Sequence, residues 1–413
     1  MTYRPAARLF LLVVLALFAL GYAFRYAFLT YYISSNTQLP PEYLDWHFVN
    51  QAPLNSAMLI CTGVFALFLI IAFPTTRATD RPAPDYRDIP AWGIIAFVGF
   101  VGLSLAVRAA YGATLGEEAT DAGFIYGALN YRVQSDVIPG LTLLLMEISW
   151  AQRRKFQYWG AITLLAGFFL TLSAITTSKA GMVNFLALVV MLMYITGQAI
   201  WKHPVRIILA ALAGILTFIV ASQLRAQALG IGDSAIWTSL RDGHVFETLL
   251  QVVGLIANRI PGVEGLALSC GYSCNTIPAF EFPTLRATAI DIFTYDIVGV
   301  QHENDFRSPG YIAGAVLLFG MVYGLAAAFG GLFFGRWVAG AVDRLKFSAA
   351  AMAALMFGML RFMMEGAWYW LDVVTMVSGV AVVEVASRLF RQSAAIAAVH
   401  VQPIGARQVE MAP

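Results

Sequence analysis

About ten apolar stretches, each close to the length of a membrane-crossing helix, divide this sequence of 413 residues. A helix needs about 20 predominantly apolar residues to cross the hydrocarbon core of a bilayer. Hydrophobic residues make up 59% of the chain and charged residues only 12%, which excludes an ordinary soluble domain. The sequence therefore predicts an all-α polytopic membrane protein with about ten transmembrane helices. The predicted spans are 9–26, 54–73, 91–111, 137–150, 158–175, 181–200, 205–221, 311–334, 347–364 and 370–390.

Lysine and arginine residues near the span ends fall on one side of the predicted bundle. Basic residues in short loops favour the cytoplasmic side, so both termini are expected there. The first span is expected to be retained, because no small-residue cleavage site follows it. The fourth span contains Pro139 and Gly140 and is expected to be kinked or partly re-entrant. The basic residues are Arg4, Arg8, Arg77, Arg81, Arg87, Arg153, Arg154, Lys155, Lys202, Arg206, Arg336, Arg344, Lys346, Arg388 and Arg391.

One long polar segment interrupts the series between the seventh and eighth spans. The domain prediction is a bundle of helices 1–7 in residues 1–221, a periplasmic loop in 222–310, helices 8–10 in 311–390, and a disordered cytoplasmic tail in 391–413. Within the loop, apolar residues at helical spacing predict an amphipathic helix near 244–260 that lies on the membrane surface or wedges among the spans. Asp242-Gly243 and Pro261-Gly262 are its start and stop signals.

Cysteines are few. Cys61 falls in the second span and is expected to be a packing residue. Cys270 and Cys274 lie in the periplasmic segment, where they could form a small disulfide loop or remain free thiols. No second pair of Cys or His at ligand spacing accompanies them, so zinc is not expected.

The polar segment is rich in arginine and lacks lysine. A guanidinium group pairs two phosphate oxygens at once and keeps its charge, which suits a pyrophosphate held at a membrane surface. The alternative is that these arginines pair with the acidic residues of the same segment, which leave it net acidic. If one helix ran unbroken from Arg241 to Arg259, about five turns, both would point the same way. The arginines are Arg225, Arg241, Arg259, Arg286 and Arg307.

Charged residues also stand at the outer ends of the spans. Arg108 and Lys179 are candidates for anion binding, although snorkelling at the bilayer edge explains them equally well. Arg361 and Glu365 stand four residues apart on one face of the ninth span, where they form either a catalytic or a structural ion pair. Glu147 and Glu384, toward the cytoplasmic ends of their spans, are expected to be packing or interface residues.

Proton transfer has several candidate residues in and beside the polar segment. His302 to Pro309 reads HENDFRSP, a dense polar cluster before the eighth span, and His244 opens the amphipathic helix. The catalytic candidates are His244, Glu303, Asp305, Arg361 and Glu365, with Asp242 and His302 as further proton-transfer groups. There is no GxxxxGKS/T loop and no DxD-type motif, so neither a nucleotide nor a metal cofactor is expected.

Three stretches carry a resemblance to a known family. They are SAITTSKAGMVNFLALVV from Ser173, RDGHVFETLLQVVGLIANRIPGVEGLA from Arg241 and FRSPGYIAGAVLLFGMVYGLAAAFGG from Phe306. Together with the many-span layout and the late periplasmic loop, they resemble the Wzy-type O-antigen polymerases within the O-antigen polymerase and ligase group.

The resemblance implies a GT-C-like glycosyltransferase. Such an enzyme polymerises oligosaccharide units carried on undecaprenyl pyrophosphate into O-antigen, capsule or exopolysaccharide at the outer leaflet, without nucleotide or metal. It also implies membrane lipid and a chain-length regulator as partners, and no nucleic acid. The family's pyrophosphate-binding positions correspond to Arg108, Lys179, Arg241, Arg259 and Arg307. At Lys179 relatives often carry arginine, and lysine cannot form the same two-point contact.

Other functions stay open at this point. An O-antigen ligase shares the architecture but hands the finished glycan to a lipid A core. A transporter or flippase of the same lipid-linked sugar would show repeats, broken helices and short loops. A membrane acyltransferase would need a buried histidine in a central span, and no predicted span has one.

Overall fold

The structure is a computed structural model, and it describes residues 2–35, 51–74, 80–111, 133–176, 180–198, 232–246, 262–273, 309–366 and 370–391, with scattered positions between 212 and 293. This part of the chain is almost entirely helical, as predicted. Within it, five helices are long and apolar enough to cross a membrane: Ala6–Tyr31, Ala52–Ala72, Ala91–Ala110, Lys155–Ser173 and Met321–Arg344. The chain is therefore an all-α membrane protein, and the count of ten spans stays a prediction.

The described elements follow one another as helices with one short pair of strands. Strands β1 (Thr2–Tyr3) and β2 (Arg81–Pro82) pair antiparallel, with Thr2 opposite Pro82. Two π-helical segments, π1 (Phe18–Phe24) and π2 (Val133–Val137), continue directly into α-helices. The α-helices are α1 (Ala6–Leu17), α2 (Arg25–Ser35), α3 (Gln51–Ala72), α4 (Ala91–Tyr111), α5 (Ile138–Ala151), α6 (Lys155–Thr176), α7 (Ala180–Ile195), α8 (Ala235–Arg241), α9 (Val263–Ser273), α10 (Tyr311–Phe319), α11 (Met321–Arg344), α12 (Ala349–Glu365) and α13 (Trp370–Phe390).

Helix α12 lies at the centre of the bundle, where it packs against α1, α5, α7 and α13. Its first half is rich in alanine, and Ala349 to Ala353 are fully buried. Small side chains let helix backbones approach closely, which is how helices associate where lipid removes the hydrophobic drive. Cys61 on α3 is also fully buried, in agreement with its expected packing role.

Those of the predicted basic residues that the structure describes gather at one end of the bundle, as the sequence predicts. Arg4 donates its backbone N–H to Ile195 at the end of α7, and Arg154 pairs with Asp88 at 2.6 Å. Arg391 donates to the backbone oxygen of Lys346 at 3.1 Å. We call this the basic end and the opposite one the distal end. The prediction that the basic end faces the cytoplasm stays a prediction.

Glu147 ties three separate parts of the chain together at the basic end. Its side chain is fully buried. Oε1 accepts hydrogen bonds from the hydroxyls of Tyr3 at 2.8 Å and Tyr86 at 2.6 Å, and Oε2 accepts from the backbone N–H of Ala350 at 2.7 Å. Burial raises the pKa of both tyrosine hydroxyls far above the usual value, and the nearby Glu147 carboxylate raises it further. Both hydroxyls therefore stay protonated and act as donors.

Carboxylates from other helices cap the first turns of α12 and α1. The first backbone N–H groups of a helix have no partner within it, and the helix dipole favours negative charge there. Glu384 accepts from the backbone N–H of Ser348 at 2.7 Å, beside the contact of Glu147 with α12. Asp343 accepts from the N–H groups of Ala6 and Ala7 at the start of α1. Glu147 and Glu384 are thus packing residues, as expected.

The prediction of one eighth span over 311–334 is wrong, because the chain turns back on itself at Gly320. Gly320 has φ 77° and ψ 172°, a backbone conformation that favours glycine. The Tyr311 hydroxyl donates to the Ala328 backbone oxygen at 2.9 Å, so α10 and α11 run antiparallel. Helix α10 is a short, almost fully buried helix that starts inside the bundle and ends at its distal end.

Part of the predicted periplasmic loop also lies within the bundle. Helix α9 packs against α3 and α10, and Val263, Leu266 and Ser269 are fully buried. A Cβ on Gly262 would overlap the backbone oxygen of Gly21 in π1, which shows how closely the two segments approach. The described part of α9 is therefore a wedge among the membrane helices, and it lies beyond the helix predicted near 244–260.

Two glycines of α11 test the helical hairpin. A Cβ on Gly324 would lie 2.6 Å from the Ala315 backbone oxygen, whereas a Cβ on Gly330 meets no atom within 4 Å. We expect Gly324→Ala to lower the free energy of unfolding by about 1–3 kcal/mol through overpacking. We expect Gly330→Ala, the matched control, to be neutral or stabilising by up to about 1 kcal/mol. Thermal unfolding in detergent measures both, and equal stabilities would contradict the hairpin.

The Glu147 contacts predict a second stability difference. Glu147→Gln replaces one accepting oxygen by an NH₂ group, so a buried donor loses its acceptor at a cost of about 1–3 kcal/mol. Asp88→Asn, the control, removes only the exposed ion pair with Arg154 and is expected to cost at most about 1 kcal/mol. Thermal unfolding of the purified variants compares them. A Glu147→Gln protein as stable as Asp88→Asn would contradict the role given to Glu147.

Candidate functional site

Five of the ten predicted site residues lie in the described part of the chain: Arg108, Arg241, His244, Arg361 and Glu365. The other five, Lys179, Arg259, Glu303, Asp305 and Arg307, lie outside it, as do the proton-transfer candidate His302 and the arginines Arg225 and Arg286.

Arg108 stands in the last turn of α4, at the distal end of the bundle. Its side chain is partly buried, and its Nε atom is buried without a hydrogen-bond partner in the described part of the chain. One turn earlier on the same helix, Ser104 receives hydrogen bonds from Gln134 to its backbone oxygen at 2.9 Å and to its hydroxyl at 3.1 Å. These contacts fasten α4 to π2 directly below Arg108.

Segment π2 opens onto a small cavity between π2, α5, α7, α12 and α13. Its volume is about 20 Å³, which is enough for about one water molecule. Ser135 and Asp136 line it with polar groups, and the other lining side chains, such as Phe357 and Val380, are apolar. The Ser135 hydroxyl is buried without a hydrogen-bond partner among the described residues.

Arg361 follows Phe357, which lines this cavity, by one turn of α12. Residues four apart share one face of a helix, so Arg361 lies on the cavity side, toward the distal end. Glu365 is the last residue of α12, one turn further on, before Gly366 ends the helix in the left-handed conformation. The predicted shared face of Arg361 and Glu365 is therefore confirmed at the level of the backbone. Arg361 thus lies one turn beyond the cavity on α12, and Arg108 lies one turn beyond Ser104, whose partner Gln134 precedes Ser135 of the cavity lining.

Arg241 does not share a continuous helix with the residues that follow it. Helix α8 ends at Arg241, and Gly243 has φ 84°, which separates α8 from the helical residues that begin near Val245. The start signal at Asp242-Gly243 is confirmed, but the unbroken helix needed to align Arg241 with Arg259 is not present. The Arg241 side chain is 61% exposed and pairs with Asp233 at 3.0 Å and Asp242 at 3.7 Å.

His244 and the residues after it face outward. His244 is exposed, and so are the apolar side chains of Val245, Phe246 and Leu249. Thr248 is buried instead, and its hydroxyl donates to the His244 backbone oxygen at 2.9 Å. An exposed apolar face beside exposed polar residues is the pattern of a helix that lies at a membrane surface.

A buried ion pair that the sequence analysis did not identify lies at the distal end. Arg25, 1% exposed, pairs with Glu264 of α9 through its Nη2 atom at 2.7 Å. The Tyr22 hydroxyl hydrogen-bonds with the Ile312 backbone at the start of α10. Gly366 stands so close to Gly310 that a Cβ would overlap the Gly310 backbone oxygen.

One signal in the sequence could have found this pair. Arg25 is the only charged residue between Arg8 and Ser35, inside an otherwise apolar run. A charged side chain within a membrane helix faces the bundle interior and pairs there, because lipid cannot solvate it. That argument predicts a carboxylate partner for Arg25, although it does not identify Glu264.

The described residues contain no group of three or more His, Cys, Asp or Glu side chains that could hold a metal ion.

No protein-family model matches the chain, and no curated protein or solved structure is significantly similar to it.

The ion pair predicts how α9 is held in the bundle. Glu264→Gln leaves Arg25 buried without its carboxylate and is expected to lower the free energy of unfolding by about 3–5 kcal/mol. The double variant Arg25→Met with Glu264→Leu removes both charges at similar volume and is expected to recover much of that loss. Thermal unfolding with limited proteolysis of residues 262–273 measures both effects. A fully stable Glu264→Gln protein would show that the pair does not hold α9.

Proposed function

We propose that the protein is a glycosyltransferase that joins oligosaccharide units carried on undecaprenyl pyrophosphate into a polysaccharide. The observation that carries the proposal is the position of Arg108 and Arg361. Both stand near the distal ends of their helices. Arg361 lies one turn beyond Phe357, which lines the cavity, and Arg108 lies one turn beyond Ser104, which is hydrogen-bonded to Gln134 of π2. The sequence resemblance to the Wzy-type polymerases points to the same class of substrate.

The depth of Arg108 suits a lipid diphosphate. Arg108 follows Ala91 by 17 residues of α4, or about 25 Å along the helix axis, and Arg361 follows Ala349 by 12 residues of α12, or about 18 Å. The hydrocarbon core is about 30 Å thick, so Arg108 stands about 5 Å inside its distal boundary, whereas Arg361 stands about 12 Å inside it and would meet a substrate group that enters the bundle. A polyprenyl diphosphate has its charged group at that boundary.

The chemistry required is the displacement of a diphosphate. The acceptor hydroxyl oxygen forms a bond to the anomeric carbon, the bond from that carbon to the diphosphate oxygen breaks, and the hydroxyl proton passes to a base. Negative charge grows on the leaving oxygens, and fixed guanidinium groups stabilise that charge most in the transition state. His244, Glu303, Asp305 and Glu365 remain the candidate bases, with Arg241, Arg259, Arg307 and Lys179 as further diphosphate contacts.

The proposed orientation follows from charge. The basic end faces the cytoplasm under the positive-inside rule, with both termini there, and the distal end faces the periplasm of the inner membrane. Transfer then takes place at the outer leaflet, where a chain-length regulator would act on the growing glycan.

A transporter of lipid-linked oligosaccharide is the second candidate, and one observation favours it. The break at Gly320 makes α10 a half-length helix whose N-terminus starts inside the bundle. Discontinuous helices of this kind form substrate sites in many transporters. An O-antigen ligase is the remaining alternative, since it would use the same donor and differ only in its acceptor.

Purified protein in liposomes with a synthetic polyprenyl-diphosphate oligosaccharide tests the proposal. We expect a ladder of longer products that forms in the presence of a chelator. Arg108→Ala and Arg361→Ala are each expected to lower the rate on the order of a hundredfold, as loss of a transition-state donor does. Arg108→Lys, which keeps the charge but not the two-point contact, should fall between the wild type and Arg108→Ala.

Arg8→Ala is the matched control. Arg8 makes an exposed ion pair with Asp80 at the basic end, so its removal should leave the rate unchanged. Wild-type rates in both Arg108→Ala and Arg361→Ala, or strict dependence on added divalent metal, would contradict the proposal. Translocation of a fluorescent lipid-linked oligosaccharide without elongation would favour the transporter. Transfer to lipid A core without elongation would favour the ligase.

A further inference from the structure

Two long helices begin side by side at the basic end. Helices α4 and α6 pack against each other, and both run from there toward the distal end. The turn before α6 contacts the segment before α4 at two points. Gln152 donates to the Tyr86 backbone oxygen at 3.2 Å, and Arg154 pairs with Asp88 at 2.6 Å. The starts of the two helices are therefore neighbours.

The residues 85–92 and 152–156, which we call the α4–α6 junction, carry an excess of positive charge. Four of them are basic and two are acidic. Arg87, Arg153 and Lys155 are exposed, and they make no ion pair within the described part of the chain. Their charge is therefore available to an anion from outside the protein.

The start of α6 places positive charge where the helix dipole already supplies it. A helix N-terminus carries about half a positive elementary charge and N–H groups without partners, so it favours acidic residues and disfavours basic ones. Neither α4 nor α6 has an acidic residue in its first turn. Lys155 is the first residue of α6, and Arg153 and Arg154 directly precede it. The field at the α4–α6 junction therefore favours a bound anion.

The Arg153 side chain is not needed for the turn in which it stands. The φ of Arg153 is 58°, a conformation that favours glycine, and its N–H donates to the Trp150 backbone oxygen at 3.0 Å where α5 ends. Glycine is the usual residue in this conformation after a helix. The charge of Arg153 can therefore be removed by a change to glycine without loss of the turn.

Exposed aromatic rings adjoin the basic residues. Phe156, the second residue of α6, is 92% exposed, and Trp92, the second residue of α4, is 73% exposed. Trp159, about one turn further along α6, is half-exposed. In membrane proteins, amphipathic aromatic rings gather where the hydrocarbon core meets the lipid headgroups. The rings at these two helix starts therefore place the α4–α6 junction at the level of the headgroups.

We infer that the α4–α6 junction binds an anionic phospholipid. The phosphate group contacts Arg87, Arg153 and Lys155 beside the N-terminus of α6, and the acyl chains lie against Phe156 and Trp92. The occupant is a lipid rather than a free anion, because the exposed rings continue the charged surface into the bilayer. Basic clusters that adjoin membrane helices recognise anionic headgroups by the same attraction. The site does not depend on the glycosyl transfer proposed above, which lies at the distal end.

Native mass spectrometry of the purified full chain in detergent, titrated with dioleoyl phosphatidylglycerol or dioleoyl phosphatidylcholine, tests the inference. We expect the wild type to bind phosphatidylglycerol more tightly than phosphatidylcholine. A basic residue beside a lipid phosphate contributes about fivefold in affinity, so Arg153→Gly with Lys155→Gln should lower the affinity for phosphatidylglycerol about 25-fold. The affinity for phosphatidylcholine should stay unchanged.

Lys346→Gly is the matched control. Lys346 is also basic, exposed and at positive φ, 54°, and it lies between α11 and α12. Carboxylates of Glu147 and Glu384 already occupy the N-terminus of α12, so that helix start needs no further anion. We therefore expect Lys346→Gly to retain the wild-type affinity for phosphatidylglycerol to within about twofold.

Phe156→Gln separates a lipid from a free anion. It removes the ring and keeps every charge, so it should weaken the binding of phosphatidylglycerol. An unchanged affinity in Phe156→Gln, together with displacement of the lipid by inorganic phosphate, would identify a site for free anions and overturn the inference.

Three further results contradict a lipid site at this junction. They are equal affinity of the wild type for the two lipids, equal affinity of the wild type and the double variant for phosphatidylglycerol, and an equal loss of affinity in Lys346→Gly. Should the double variant not purify as a folded protein, Arg153→Gly decides alone, since glycine suits that turn. An unchanged affinity in Arg153→Gly then overturns the inference. No readout uses glycan transfer, so failure here is distinguishable from failure of the proposed enzyme activity.

Discussion

The contacts of buried and half-buried carboxylates with helix N-termini hold the basic end of the bundle together. Glu147 and Glu384 meet the first turn of the central helix α12, and Asp343 meets the first turn of α1. Each joins residues that are far apart in the chain, and each satisfies backbone donors that lipid and apolar side chains cannot. The central helix α12 is therefore fixed at the basic end. The distal end, in contrast, consists of shorter and less regular pieces.

Those pieces meet through glycines rather than through large side chains. Gly262 lies close to Gly21 of π1, and Gly366 lies close to Gly310. Backbone therefore packs directly on backbone where α9, α10 and α12 meet. Arg25 and Glu264 lie at the same junction. The result is a distal end in which a segment of the polar loop is part of the membrane domain.

Hydropathy and residue spacing could predict the helical class, the gathering of basic residues at one end and the shared face of Arg361 and Glu365. These features depend on residues that are close together in the sequence, so they can be predicted from the sequence alone. The break at Gly320 was not predicted, because residues 311–334 form one apolar run and hydropathy does not register a backbone torsion angle. Asp242-Gly243 predicts a helix start, and the same break separates Arg241 from the helix that follows, so Arg241 and Arg259 do not share one continuous helix. The Asp136 cavity and the Arg25–Glu264 pair depend on which distant helices meet, and spacing along one helix carries no information on that.

The Arg25–Glu264 pair has a consequence for biogenesis. Arg25 precedes Glu264 in the chain, so it is synthesised before its carboxylate partner and before helices α3 to α8, which separate the two. A charged side chain within a membrane helix costs about 2.5–3.5 kcal/mol on insertion when it has no partner. The first helix therefore enters the bilayer less favourably than its apolar length implies, and it gains its full stability only when α9 docks. Neutralisation of the Arg25 charge thus waits for a segment that is synthesised much later in the chain.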